Sequence, residues 1–119
     1  MLVMTRDQLI NYCLNEYNSE IDKPFKHYPD YVAIRHLNGK WFGLIMNVPA
    51  NKLGLSGTEN IDIVDLKVEP ELNSILQVQP GFLPGYHMSK IHWISARLDY
   101  FESIDQLADL IEGSFIATA

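Results

Sequence analysis

The sequence predicts an α+β fold, a two-layer sandwich in which N- and C-terminal helices pack on one face of an antiparallel sheet. Three observations predict it. Apolar residues recur at helical spacing near both ends, an Asn38-Gly39 pair separates two segments rich in β-branched and aromatic residues, and two later segments alternate apolar and polar side chains. A chain of 119 residues suits one hydrophobic core, so residues 1–119 are expected to form a single domain.

The first element is predicted to be a helix over 6–17. Thr5 and Gln8 have the spacing of a capping box, and apolar side chains follow at helical spacing. Residues 18–30 contain Asn, Ser and two prolines, which break regular structure. They are therefore expected to form a loop that crosses the domain.

Residues 31–37 and 40–48 are predicted to form a β-hairpin. Asn-Gly between two such segments favours a two-residue type I′ turn, because both central positions of that turn need positive φ. The cross-strand pairs that this turn produces are Leu37 with Lys40, His36 with Trp41, Arg35 with Phe42 and Ala33 with Leu44.

The second half of the chain continues with strands and helices. In order, we expect a surface loop over 51–60, a strand over 62–68, a short helix over 70–77, a turn-rich loop over 80–85, a strand over 91–98 and a last helix from about 103. Both strands alternate apolar and polar side chains. Pro70 suits a first helical turn, and Ser103 with Gln106 repeats the capping-box spacing.

The charges are unevenly distributed along the chain. The formal net charge is −6, which argues against simple polyanion binding. Residues 23–58 nevertheless carry five cations and one acidic residue, and residues 79–98 carry two cations and no acidic residue. The predicted helices hold much of the acid, so the sheet face away from them, or the hairpin edge, is expected to be the positive surface.

The expected location is the cytoplasm. The single Cys13 has no partner for an internal disulfide and sits among helix-forming residues, where a free thiol acts as a small hydrophobe. The chain does not start like a signal peptide, and no apolar segment reaches the ~20 residues of a membrane helix. Membrane association is therefore not expected.

No catalytic or metal site is recognisable in the sequence, so an enzyme is not expected. A nucleophile would need a base and an orienting acid, and residues 79–98 contain no Asp or Glu. His87 and His92 lack the further ligands of a zinc site, and we interpret His92 as a structural histidine on a strand. No glycine-rich nucleotide-binding motif occurs, so no cofactor is expected.

Residues 80–93 carry the most specific pattern, reading Pro-Gly-Phe-Leu-Pro-Gly-Tyr-His-Met-Ser-Lys-Ile-His-Trp. This segment resembles the signature of the YjbR/MmcQ family, small bacterial proteins with a CyaY-like α+β fold that are commonly labelled DNA-binding. Further matches occur in the same order along almost the whole chain: Pro24-Phe25, Gly39-Lys40-Trp41-Phe42, Leu66-Lys67, Pro70-Glu71 and Ser114-Phe115.

The resemblance implies a set of characteristic polar and aromatic positions. They are Lys40, Lys67, Tyr86, His87, Lys90, His92 and Trp93. Two positions depart from the family pattern, because Ile91 stands where a basic residue is common and Phe115 where a Tyr is usual. The first departure lowers the positive charge that nucleic-acid binding would use.

Two functional hypotheses follow. In the first, the chain is a monomeric, non-enzymatic DNA-binding module whose hairpin and a neighbouring loop flank the duplex. Lys40, Lys67, Lys90 and Arg97 would neutralise phosphates, and Trp41 and Trp93 would either stack on bases or simply cover apolar sheet. In the second, residues 80–93 bind a protein or a small ligand.

Overall fold

The computed structural model describes residues 3–119; Met1 and Leu2, which the predicted domain includes, lie outside the described residues. The helices are α1 (Arg6–Glu16), α2 (Pro70–Leu76) and α3 (Ala108–Ala117). The strands are β1 (Ser19–Asp22), β2 (Val32–His36), β3 (Trp41–Pro49), β4 (Asn60–Lys67), β5 (Phe82–Pro84) and β6 (Trp93–Arg97). Short 3-10 turns occupy Ala50–Leu53, Leu98–Tyr100 and Ile104–Gln106. The six strands form one antiparallel sheet in the order β1-β2-β3-β4-β6-β5.

The predicted sandwich is confirmed, because α1 and α3 pack together on one face of the sheet. Leu9 and Cys13 of α1 and Ile111 of α3 are buried against strand residues such as Phe42 and Ile94. Burial of these apolar side chains is the main favourable term in folding, at roughly 1.5 to 3 kcal/mol for each large one. We call this the helix face of the sheet.

Both predicted capping boxes are present. Thr5 and Gln8 exchange side-chain and backbone hydrogen bonds at the start of α1. Ser103 and Gln106 do the same, but they open a 3-10 turn. Leu107, with φ of −113°, then interrupts the helical backbone, so α3 begins at Ala108 rather than near 103.

Two strands lie where loops were predicted. β1 falls within 18–30 and pairs with β2, and β5 falls within 80–85 and pairs with β6. β1 is a mostly exposed edge strand of sequence Ser-Glu-Ile-Asp, so it lacks the apolar alternation that reveals a half-buried strand. Backbone pairing and the ion pairs of Arg35 with its two carboxylates hold it in place.

The hairpin is confirmed, but its turn differs from the prediction. His36 N–H donates to the Lys40 carbonyl at 2.8 Å and Gly39 N–H donates to the His36 carbonyl at 2.9 Å, so the loop contains three residues. Gly39, with φ of +92°, is the residue of this loop that adopts positive φ. A three-residue loop with glycine in that position is the next commonest hairpin solution.

The longer loop shifts the strand register by one residue. Trp41 therefore lies opposite Arg35 rather than His36, and a β-bulge after this pair restores the predicted pairing of Ala33 with Leu44. A bulge turns the side chain beside it toward the other face. As a result Trp41 and Leu44 share one face of the sheet while Phe42 points to the helix face.

Gly39→Ala is expected to destabilise the protein by about 1 kcal/mol, because an L side chain is strained at φ of +92°. Nothing lies within 4 Å of an added Cβ at Gly39, so backbone strain is the whole expected effect. Gly113→Ala is the matched control, since Gly113 lies inside α3 with equal room, and alanine there should stabilise by up to about 1 kcal/mol. Urea denaturation measures the free energy of unfolding of both variants. A change of the same sign in the two would contradict the positive φ of Gly39 in the turn.

The second sheet face is not open, contrary to one of the two positions expected for the positive surface; the other expected position is the hairpin edge. Its floor consists of strand side chains that are at most 1% exposed: Ala33, Leu44, Met46, Val48 and Ile63. Side chains from three loops and from the start of β3 cover them: Tyr31, Trp41, Leu53, Leu55, Tyr86 and Met88. The loops fold across this apolar floor, and we call this side of the sheet the loop face.

Candidate functional site

Four of the predicted site residues meet at one end of the sheet. Lys40, Trp41, Lys67 and Trp93 line an open groove of about 410 Å³, which we call the lysine–tryptophan groove. Lys40 follows the hairpin loop, Trp41 begins β3, Lys67 ends β4, and Trp93 begins β6 directly opposite Lys67. Residues 117–119 form the remaining wall. The adjacent ends of three strands therefore position the groove.

Both tryptophans of the groove are half-buried. The bulge in β3 places Trp41 on the loop face, where its ring packs against Phe25 with centroids 5.9 Å apart. Trp41 therefore covers part of the apolar sheet, and both indoles keep part of their surface in the groove. The two interpretations of these residues, apolar cover and stacking platform, are compatible in this geometry.

The lysines of the groove differ from the arginines in their partners. Lys40 Nζ donates to an oxygen of Ala119, the last described residue, at 3.3 Å, and neither Lys40 nor Lys67 pairs with an Asp or Glu side chain within residues 3–119. The arginines are all paired with carboxylates: Arg6 with Asp62 at 3.0 Å, Arg35 with Asp22 at 3.2 Å and Glu20 at 3.9 Å, and Arg97 with Asp99 at 2.7 Å. The available positive charge belongs to lysines.

Two other predicted cations lie away from the groove. Arg97 is at the opposite end of β6 from Trp93, about 13 Å along the strand, with buried Ser95 between them. Its guanidinium is held by Asp99 through two hydrogen bonds. Lys90 directs its Nζ to the Gly85 carbonyl at 2.8 Å and so braces the loop that contains both residues.

The aromatic and histidine residues of the signature segment have separate environments. Tyr86 donates its backbone N–H to Ser95 Oγ at 2.9 Å, which ties this loop to β6. His87 is exposed and adopts φ of +61°, a conformation that is uncommon for residues other than glycine. His92 is exposed and precedes β6, so the structure does not place it within a strand as we interpreted it.

His36 is the histidine with a structural environment. Its side chain is 7% exposed, its Nε2 lies 2.8 Å from Thr118 Oγ1, and its ring centroid lies 4.2 Å from that of Phe115. Burial, with a smaller contribution from the charge of Lys40, lowers the pKa of His36 below 6.5. The neutral imidazole therefore fixes the hairpin against the end of α3.

A buried carboxyl group lies beneath the loop face. Asp65 of β4 is 0% exposed, and its Oδ1 accepts a hydrogen bond from Ser95 Oγ. Its Oδ2 has no hydrogen-bond partner among residues 3–119. Burial raises the pKa of Asp65 to about 7, although the Ser95 hydrogen bond and the charge of Lys90 oppose the shift. The group therefore titrates near neutral pH.

Sequence reasoning missed a second concave site on the loop face. An apolar cavity of about 340 Å³, which we call the aromatic cleft, is lined by Phe25, Tyr28, Tyr31, Leu44, Met46, His87 and Met88. Phe25, Tyr28 and Tyr31 are spaced three apart, the first two within the predicted connecting loop 18–30 and the third at the start of the predicted strand 31–37. This spacing of aromatic residues beside two prolines is the sequence feature that could have indicated the cleft.

Other chemistry-bearing groups are dispersed. Within residues 3–119 no three His, Cys, Asp or Glu side chains gather closely enough to hold a metal ion. Burial raises the pKa of the Cys13 thiol to about 12, so it remains protonated at neutral pH. In the same part of the chain, no helix has the length and apolar character needed to cross a membrane.

The geometry can be compared with solved structures. A crystal structure of a Pseudomonas syringae protein superposes with a TM-score of 0.92 at 42% identity, covering 98% of this chain and all of that one. Protein DR2400 from Deinococcus radiodurans, described with a DUF419 domain, superposes with a TM-score of 0.72 at 24% identity, covering 97% and 78% of the two chains. The latter likeness concerns the fold alone.

Sequence comparison identifies relatives of full and partial length. No family model matches the chain. The uncharacterised protein YbdF of Escherichia coli O157:H7 is 39% identical over 62 residues, half of each chain. The uncharacterised protein YyaQ of Bacillus subtilis (strain 168) is 43% identical over 117 residues, which cover 98% of this chain and 99% of YyaQ. This chain therefore belongs to the same family as YyaQ.

Proposed function

We propose that the protein is a monomeric, non-enzymatic, cytoplasmic DNA-binding module of the YjbR/MmcQ type, with the lysine–tryptophan groove as its contact surface. One observation carries the proposal: two half-buried tryptophans and two lysines that have no Asp or Glu partner among the described residues line one open groove, whereas the arginines are paired with carboxylates. Residues 80–93, which resemble the family signature, end at Trp93 in this groove.

The chemistry of the groove suits a nucleic-acid strand. Lys40 and Lys67 supply ammonium groups for two phosphates, and Trp41 and Trp93 supply ring surface for bases. Base–aromatic stacking contributes about 1 to 3 kcal/mol for each base and accepts any sequence. Because only two cations converge, the electrostatic contribution is small, and a strand with unpaired bases should bind more tightly than a closed duplex of the same sequence.

Fluorescence anisotropy with a labelled single-stranded 12-mer tests the proposal. Two phosphate contacts should give a slope of log K against log salt of about −1.4. The double variant Lys40→Gln/Lys67→Gln should bind at least about tenfold more weakly at low salt and with a slope near zero. Lys23→Gln/Lys26→Gln removes the same charge from a loop outside the groove and should leave the slope unchanged.

Two results would overturn the proposal. One is the absence of binding at low salt by the unaltered protein. The other is an equal loss of affinity in the groove variant and the loop variant, which would mean that net charge alone governs binding. Preference for the matched duplex over the single strand would remove the stacking role of Trp41 and Trp93 and retain the phosphate contacts.

A further inference from the structure

The aromatic cleft continues into a second, polar cavity. Tyr28, Tyr31 and His87 line both cavities, whose volumes are about 340 Å³ and about 410 Å³. Small-molecule sites in proteins are typically concave, mostly apolar and of about 300 to 1,000 Å³, with a few polar groups that orient the ligand. The pair of cavities has this composition, with an apolar half and a polar half that meet at three aromatic side chains.

The apolar half suits a flat ring. Its floor is formed by Leu44 and Met46 of the rigid strand β3, and Met88 lies at its edge. Tyr31 packs edge-on against Phe25, with ring centroids 5.9 Å apart, and Tyr28 stacks on Tyr31 at 4.7 Å. Aromatic walls and polarizable thioethers favour a planar aromatic guest over a flexible chain.

The polar half favours an acceptor-rich end group. Lys52, Asn47 and Asn60 line it together with the phenol groups of Tyr28, Tyr31 and Tyr86. None of these three hydroxyls forms a side-chain hydrogen bond within residues 3–119. Burial, then the neighbouring phenols of Tyr86 and Tyr28, raises the pKa of Tyr31, so its hydroxyl keeps its proton and remains a donor.

One cation at the rim of the polar half is available to an anion. Lys52 forms no ion pair in the described part of the chain. Asp30 is the carboxylate at the rim, and Arg6 lies beside it, because Arg6 Nη1 donates to the Asp30 carbonyl at 2.6 Å. That guanidinium is ion-paired with Asp62 at 3.0 Å, so it does not neutralise the Asp30 side chain. Lys52, which has no described carboxylate in ion-pair range, is the cation that an anion would meet.

Backbone conformation adds an independent sign that this cleft is a site. His87, between the two cavities, is the only non-glycine residue among 3–119 with positive φ. Strained backbone of this kind is often concentrated at ligand-binding positions, where surrounding contacts hold it. The hydrogen bond from Tyr86 N–H to Ser95 Oγ and that from Lys90 Nζ to the Gly85 carbonyl hold this loop.

We propose that the joined cavities bind a small planar aromatic carboxylate, with its ring between Phe25, Tyr28 and Met46 and its carboxylate toward Lys52 and the Tyr31 hydroxyl. The site is separate from the lysine–tryptophan groove and does not depend on DNA binding. No covalent step is involved. The ligand would be held by ring contacts, one charge-assisted hydrogen bond and one or two phenol donors.

NMR titration with 2-naphthoate tests the proposal, with 2-naphthylamine and cyclohexanecarboxylate as matched probes. 2-Naphthoate should saturate, with a Kd below about 1 mM. It should shift backbone amides of 25–28, 30–31, 44–48 and 86–88, while leaving those of 40, 67 and 93 in place. The amine, which lacks the anion, and the cyclohexane acid, which lacks the flat ring, should each bind at least about tenfold more weakly.

Two conservative variants locate the contacts. Lys52→Gln should weaken 2-naphthoate binding about five- to tenfold, and Tyr31→Phe, which keeps the ring and removes the hydroxyl, about threefold or more. Lys26→Gln, an exposed lysine nearby in sequence, should change nothing. Unchanged amide dispersion in the three variants verifies folding.

The proposal is overturned by equal affinity for the three probes, by no saturable shift, or by unaltered affinity in Lys52→Gln. DNA binding in the anisotropy assay should be the same for Tyr31→Phe and for the unaltered protein. A failure of either assay therefore leaves the other proposal standing.

Discussion

Asp65→Asn is expected to stabilise the protein by about 2 to 4 kcal/mol at pH 8 and to change its stability little near pH 4. The carboxyl of Asp65 is fully buried, with one oxygen bonded to Ser95 Oγ and the other without a partner among the described residues. Ionising it in the folded protein is therefore costly. An asparagine has nearly the same shape and never carries the charge.

The pH window follows from the direction of the shift. Because burial raises the pKa of Asp65 from 3.8 to about 7, the folded protein holds a proton between about pH 4 and pH 7 that the unfolded chain has already released. The stability linked to that proton is fully present below about pH 4 and is lost as the pH rises through about 7. A shift of about three units corresponds to about 4 kcal/mol, and the unpartnered amide N–H of the variant lowers the gain to the stated range.

Urea denaturation between pH 4.5 and 8.5 measures this effect. The free energy of unfolding of the unaltered protein should fall with rising pH, and that of Asp65→Asn should be flatter. Asp105→Asn, at an exposed carboxylate, is the control and should leave the curve unchanged. Lys90→Met removes the nearby cation that favours the ionised carboxylate, so it should steepen the fall. If the free energy of unfolding changed with pH in the same way for the unaltered protein and for Asp65→Asn, the raised pKa of Asp65 would be contradicted.

Asp65 also illustrates what sequence alone leaves open. The alternation in 62–68 correctly predicts β4, and it assigns Asp65 to the face opposite Val64 and Leu66. That face was expected to be half-exposed. It is buried because Tyr86 and Met88 fold across it, and local periodicity carries no information about a loop that arrives from a distant part of the chain.

The candidate site was predictable in its residue types but not in its grouping. Lys40, Trp41, Lys67 and Trp93 were all selected from the sequence, and the structure brings them into one groove. Their convergence depends on a one-residue register change at the hairpin, and such a change reverses which face each side chain occupies. Propensity for an Asn-Gly turn does not specify that detail.

Cation pairing was partly visible in the sequence. Asp99, the partner of Arg97, lies two residues further on, just outside the acid-free segment 79–98. The partners of Arg35 lie on β1, which is polar and was not predicted as a strand. The planar guanidinium of arginine presents several N–H donors that match a carboxylate, which favours such pairs. Because the arginines are already paired in this way, the lysines are the better candidates for phosphate contact.

A single buried amide connects α2 to the segment that precedes and begins β6. Asn73 is 1% exposed, and its Nδ2 donates to the carbonyl oxygens of Lys90, Ile91 and Trp93 at 3.2, 2.8 and 3.1 Å. Its Oδ1 accepts from Gln77 Nε2 at 2.8 Å. Asparagine is a poor residue for a helix interior, so its presence in α2 reflects this tertiary role.

Asn73→Leu is expected to destabilise the protein by about 3 kcal/mol, because it keeps the branched shape with bulkier methyl groups and leaves the part-buried carbonyl oxygens of Ile91 and Trp93 without the amide donor. Asn73→Asp should cost more, since a carboxylate would face three carbonyl oxygens. Ser74→Ala, at the next and exposed position of the same helix, should stay within about 0.5 kcal/mol of the unaltered protein. Urea denaturation measures the stabilities, and hydrogen exchange should report faster opening of residues 90–93 in Asn73→Leu. Equal stabilities of Asn73→Leu and Ser74→Ala would show that the amide does not anchor this segment, and the positions of Lys90 and Trp93 would then depend on the sheet alone.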